Sequence, residues 1–153
     1  MLINRAVFLS LGSNIEPLTH MLQCLKLLAK SFPVEKISSI YETTPHGPAG
    51  KENFLNAVVL IRTSLQNDIL QNELRNLEAS LGRLRNSDNK VAPRTIDIDI
   101  LPYPGFQNQP FIMIPLAEIA PGEIDPDTGR TFRQIASEFT EEIKTYRKVV
   151  VPN

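Results

Sequence analysis

The run Pro93-Arg94-Thr95-Ile96-Asp97-Ile98-Asp99-Ile100 constrains the fold of this chain more than any other segment. Isoleucine and aspartate alternate strictly, the period of a β-strand with two unlike faces. Ile96, Ile98 and Ile100 are then expected to enter a core, while Asp97 and Asp99 project together from the opposite face. Residues i and i+2 lie roughly 6.5–7 Å apart along a strand, so two like charges stand side by side and need a cation or donors nearby. A bare Asp-x-Asp is usually a solvated strand face. With Arg94 three residues before Asp97 and more basic residues upstream, the pattern points instead to a metal-assisted site that handles an anion.

Those basic residues are Arg83, Arg85, Lys90 and Arg94. An arginine fork matches phosphate oxygens and keeps its charge, so the cluster suits a polyphosphate, with acids holding Mg²⁺ and the cations sharing the remaining charge. The net charge is only −1, so this attraction is local, and no global field draws the chain to nucleic acid or an anionic membrane. The single cysteine, Cys24, excludes an internal disulfide and a cysteine-rich zinc site, and its Leu-rich surroundings make it a small core residue. Lys26 and Lys30 interrupt the longest apolar stretch, so no transmembrane helix is expected, nor a signal peptide from Met1 to Arg5. The expected location is cytoplasmic.

The 153 residues fit a single domain, 1–153. Alternation predicts strands over Ala6–Leu11, Val34–Thr43, Phe54–Thr63 and Thr95–Leu101. Helical spacing predicts one helix over about Pro17–Phe32, with Met21, Leu22, Leu25, Leu28 and Ala29 on one face. A second runs over about Leu65–Leu81, with Leu70, Leu74, Leu77 and Leu81 recurring and Gly82 closing it. The fold class is therefore α+β, a ferredoxin-like β-α-β-β-α-β core. Beyond it come a short segment Pro115–Ala120, an added C-terminal helix near Phe132–Phe139 and a short edge strand at Val149–Val151.

Two further features suggest a ligand pocket. Thr43 to Gly50 is loop chemistry throughout. Asn56 is the odd residue on an otherwise apolar strand, and a buried amide needs partners, which a planar heterocycle could supply. Gly50-Lys51-Glu52 is not a phosphate loop, because the earlier glycine falls at Pro45 and Glu52 replaces the hydroxyl residue. The strands also lack the aromatic signature of an RNA-binding β-α-β-β-α-β module.

In this order, Leu11-Gly12-Ser13-Asn14, Tyr41-Glu42-Thr43-Thr44-Pro45, Phe54-Leu55-Asn56-Ala57, Glu78 with Gly82-Arg83-Leu84-Arg85, the Asp-x-Asp run and Pro115-Leu116-Ala117-Glu118-Ile119-Ala120-Pro121 resemble the 6-hydroxymethyl-7,8-dihydropterin pyrophosphokinase family of folate biosynthesis. The resemblance implies Mg-dependent transfer of the diphosphoryl group of ATP to a reduced 6-hydroxymethyl pterin, releasing AMP. It implies two Mg²⁺ ions on Asp97 and Asp99, and catalytic roles for Arg83, Arg94, Asp97 and Asp99. ATP would meet Glu78, Arg83, Arg85, Lys90, Arg94 and Ile98. The pterin would meet Thr43, Thr44, Pro45, His46, Phe54, Asn56 and Phe111. ATP and the pterin are the expected partners, with no nucleic acid, no membrane and a monomeric chain.

The chain departs from the family pattern in three places. Val91 stands where an aromatic residue is usual. Only Ile100 to Pro110 separate Asp99 from Phe111, where the family inserts a hairpin. If Pro102 matches the family's Pro-His pair, Tyr103 replaces its histidine and Gln109 a later arginine. Losing two hydrogen bonds to charged groups, at roughly 1.5–3 kcal/mol each, would slow such a reaction by about 10²–10⁴. A second reading is a non-catalytic pterin- or nucleotide-binding module on the same fold.

Overall fold

Val7, Leu9 and Leu11 are all buried, and the strand they define, β1 (Arg5–Ser13), lies inside a sheet. The computed structural model describes residues 4–43, 53–83 and 95–151. After β1 come α1 (Pro17–Ser31), β2 (Val34–Ile37), β3 (Tyr41–Thr43), β4 (Phe54–Thr63), α2 (Asn67–Ser80) and β5 (Asp97–Leu101). α3 (Pro110–Ile119), α4 (Phe132–Ala136), α5 (Thr140–Thr145) and β6 (Arg147–Lys148) complete the order. This is an α+β arrangement, as the sequence pattern predicts. The strands pair antiparallel in the order β5-β1-β4-β3-β6, and β2 also pairs with β4.

Both faces of the sheet are covered, and each cover follows from its sequence. On one face Leu9, Leu11, Ala57, Val59, Ile61, Ile96 and Ile98 pack against Met21, Cys24 and Leu28 of α1 and Leu70 and Leu74 of α2. The buried residues of α1 recur at three- and four-residue spacing, with Pro17 in its first turn and the Phe32 N–H bonded to the Leu28 carbonyl at its end. On the other face Val58, Leu60 and Leu101 pack against Phe106, Ile112, Met113, Leu116 and Phe132. Burying a side chain of this size contributes about 1.5–3 kcal/mol, so each cluster is a substantial share of the stability.

Four expectations need correction. The strand expected over Val34–Thr43 divides into β2 and β3, because Ser38 takes over the ladder. Its N–H donates to the Val58 carbonyl and its Oγ accepts from the Val58 N–H, each at 2.9 Å, and the register slips on both sides. The segment at Pro115–Ala120 is the second half of α3, which is apolar on nearly every side and so shows no helical period. The helix expected over Phe132–Phe139 stops at Ala136, and a separate short helix, α5, follows. The edge strand lies at Arg147–Lys148 rather than Val149–Val151, paired with Glu42 and Tyr41. No helix among the described residues is long and apolar enough to cross a membrane.

Candidate active site

The sheet register lays out the site. Gly12 pairs with Asp97 on one side and Asn56 on the other, and Asn56 pairs with Tyr41. Directly paired residues share a face, so Asp97, Gly12, Asn56 and Tyr41 form one row across four strands. Asp99, Ser10 and Val58 form the next row, and Leu101, Phe8 and Leu60 the third. This face therefore passes from polar to apolar along the strands. Its apolar end is the floor under α3 and α4. The two aspartates lie at the other end, on the side away from Leu9, Leu11 and Ile98, as the alternation predicts.

The acids and their neighbours are tied to secondary structure at every point. Arg83 Nε donates to Asp97 Oδ1 at 2.9 Å, and both side chains are largely buried. Arg83 is turned toward the strand by the end of α2. Gly82 takes a φ of +88°, which favours glycine, and the Arg83 N–H donates to the Glu78 carbonyl at 3.0 Å. Ser13 Oγ donates to the Thr95 carbonyl at 2.5 Å, joining the end of β1 to the approach to β5.

Glu78 is only 1% exposed, and its Oε2 accepts from the Ile98 N–H at 2.7 Å. Arg75 Nη1 donates to both Glu78 oxygens at 3.2 Å and to the Ile98 carbonyl at 3.4 Å. Glu78 and Ile98 were both expected beside ATP. Neither side chain reaches solvent, since Ile98 is fully buried in the core.

The expected pterin residues fall on the same face as the aspartates. Asn56 Nδ2 donates to Thr43 Oγ1 at 2.8 Å, and both are buried. A Cβ at Gly12 would stand 3.1 Å from Asn56 Oδ1, so the bare backbone of β1 makes room for the amide. Phe54 lies two residues before Asn56 on β4 and shares its face. Phe111, in the first turn of α3, packs against the second apolar cluster, on the same side of the sheet. Thr44, Pro45, His46, Arg85, Lys90, Val91 and Arg94 lie outside the described residues.

Tyr103 and Gln109 meet, the tyrosine hydroxyl donating to Gln109 Oε1 at 2.9 Å. Burial pushes the Tyr103 hydroxyl above the ordinary tyrosine range, and the Asp99 and Asp97 charges push the same way. Tyr103 is therefore a neutral group beside the acidic pair at physiological pH. Arg75 and Ser13 were not anticipated from sequence. The i, i+3 spacing of Arg75 and Glu78 was the available signal for the first.

Among the described residues no three His, Cys, Asp or Glu side chains gather into a metal cage. Mg²⁺ keeps several waters and is bound through one or two carboxylates together with substrate phosphates. Asp97 and Asp99 supply hard oxygen donors of that kind from one strand face.

A family model described as 7,8-dihydro-6-hydroxymethylpterin-pyrophosphokinase matches residues 8–121, which span every site residue above. The chain is 34% identical over 142 residues to a 2-amino-4-hydroxy-6-hydroxymethyldihydropteridine pyrophosphokinase of Synechocystis, covering 82% of this chain and 71% of that protein. It is 33% identical over 149 residues to the protein of the same name from Aquifex aeolicus, covering 88% and 92%. To that of Bacillus subtilis it is 37% identical over 134 residues, covering 76% and 79%.

Proposed function

The chain belongs to the 7,8-dihydro-6-hydroxymethylpterin-pyrophosphokinase family, and from that premise we propose that it transfers the diphosphoryl group of ATP to 6-hydroxymethyl-7,8-dihydropterin, a step of folate biosynthesis that releases AMP. The observation that carries the reading is the row in which Asp97, held by Arg83, and Asn56, bonded to Thr43, flank Gly12 of β1. An anion-handling pair and a heterocycle-reading amide then stand two strands apart on one face, as a phosphoryl donor and a planar acceptor require.

In this reading Asp97 and Asp99 would hold two Mg²⁺ ions together with ATP. Bound there, the metal would neutralise and orient the polyphosphate. Arg83 exchanges its carboxylate partner for a phosphate oxygen when nucleotide enters, and Arg94, Arg85 and Lys90 share the remaining charge. Phe54 and Phe111 stack on the pterin, while Asn56 and the backbone from Thr43 to His46 read its edges. If Pro102 matches the family's Pro-His pair, the neutral Tyr103–Gln109 pair replaces a histidine and an arginine, and turnover is then slowed. The whole chain, 1–153, acts as one monomeric cytoplasmic domain. Its core is ferredoxin-like, a reading supported by the order β5-β1-β4 with β2 and β3 beyond β4. The non-catalytic module is disfavoured by a family match that runs through both aspartates and Arg83.

The test is AMP release from ATP and Mg²⁺ with and without 6-hydroxymethyl-7,8-dihydropterin, resolved by chromatography. Pterin-dependent AMP is expected, and it should be lost in Asp97→Ala. A variant as active as the parent would sink the assignment.

A further inference from the structure

Among the described residues strand β5 is the last strand of its sheet, and no described strand pairs with its outer edge. Successive residues of such a strand direct their N–H and C=O alternately to the two sides. The Ile98 groups point outward, away from β1, because they meet α2 instead. The Ile98 N–H donates to Glu78 Oε2 at 2.7 Å, and the Ile98 carbonyl accepts from Arg75 Nη1 at 3.4 Å. A carboxylate and a guanidinium, bonded to each other, thus meet the Ile98 N–H and carbonyl where a further strand would offer its acceptor and donor.

The position of this pair matters more than its presence. The Ile98 N–H belongs to the peptide that joins Asp97 to Ile98, and the Ile98 carbonyl to the peptide that joins Ile98 to Asp99. Each of the two peptide units between the aspartates is therefore held from outside. Glu78 also accepts the Arg83 N–H on its own carbonyl, at 3.0 Å, and Arg83 holds Asp97. One buried residue thereby contacts the backbone between the acids and the root of the arginine that pairs with them.

We infer that the Arg75–Glu78 pair is a positioning device that sets the mutual orientation of Asp97 and Asp99 for divalent-cation binding. The inference rests on the transferase reading above, and it gives Glu78 a role behind the acids in place of a contact with ATP. Partners that orient a metal ligand typically change metal affinity about 10- to 100-fold when removed.

The experiment compares the parent with Glu78→Gln and Arg75→Met. Mn²⁺ binding to each protein with ATP is read by electron paramagnetic resonance, which needs no turnover. Exchange of the Ile98 amide is followed by NMR, and kinetics give the Mg²⁺ requirement and the pterin KM separately. The expected result is Mn²⁺ binding weakened about tenfold, faster Ile98 exchange, a higher Mg²⁺ requirement and an unchanged pterin KM. Unchanged Mn²⁺ binding overturns the proposal even where exchange quickens, because the pair then only protects a sheet edge. A pterin KM that rises in step with the Mg²⁺ requirement overturns it as well, since that is a general loosening. Arg75 is a third exposed, so its variant decides the matter if Glu78→Gln does not fold. Mn²⁺ binding weakened in the variants, with a parent that releases no pterin-dependent AMP, would uphold the device and refute the transferase reading.

Discussion

Arg83 Nε donates to Asp97 Oδ1 at 2.9 Å, so the end of α2 and the first residue of β5 are joined through a largely buried ion pair. A guanidinium on a carboxylate competes with a cation for the same oxygens. Nucleotide phosphates relieve that competition by offering the arginine a second partner.

Arg83→Ala is accordingly expected to act in opposite directions on two measurements. Steady-state kinetics should show kcat reduced about 10- to 100-fold, the scale of one lost hydrogen bond to a charged group. Nucleotide-free Mn²⁺ binding should become tighter, because Asp97 loses its internal cation. A kcat within about twofold of the parent would refute the phosphate role of Arg83.

Gly12 and Asn56 make a separate prediction for the acceptor side. A methyl group at Gly12 would begin 3.1 Å from Asn56 Oδ1 and force the amide away from Thr43. Gly12→Ala should raise the pterin KM about 2- to 10-fold, the range of one neutral hydrogen bond, and leave the Mg²⁺ requirement as it was. A changed Mg²⁺ requirement with an unaltered pterin KM would show that Asn56 does not read the pterin.

Glu118 supplies a pH test of how the C-terminal strand is held. Burial on its own would raise its carboxyl, but the Ser39 hydroxyl and backbone N–H, Lys148 and Tyr41 outweigh burial and hold it below its ordinary value of 4.5. The Ser39 Oγ bond is 2.7 Å and the Lys148 contact 3.3 Å. Because the folded value is the lower one, the stabilisation is present in full above the unfolded value and is lost as pH falls through the folded one. The difference in thermal midpoint between the parent and Glu118→Gln should be widest near neutral pH and shrink below about pH 4.5. A difference that stays constant down to pH 3 would exclude Glu118 as its source.

Much of this molecule was legible in the chain. The alternation at Ile96 to Ile100 placed Asp97 and Asp99 on one face because a strand has a period of two whatever it packs against. The apolar spacing of α1 and α2 was read for the same reason. α3 was not, because a helix buried on most sides has no polar stripe, and Pro115 reads as a break. The i, i+3 spacing of Arg75 and Glu78 is the one local signal for Arg75, and many surface ion pairs share it. The partner of Arg75 at Ile98 lies 23 residues away in sequence.

The sequence by itself determined the strand that carries the acids, the helices behind it and the kind of chemistry that acids and arginines in this spacing can perform. Only the tertiary structure decided which strand lies beside which, and so that Gly12 stands between Asp97 and Asn56. It also decided that Glu78 faces the backbone of β5 and that Tyr103 meets Gln109. The physical reason is that period and propensity are local properties of the chain. Register across a sheet and the satisfaction of a sheet edge depend on groups far apart in sequence, which meet only when the two apolar clusters have closed on both faces.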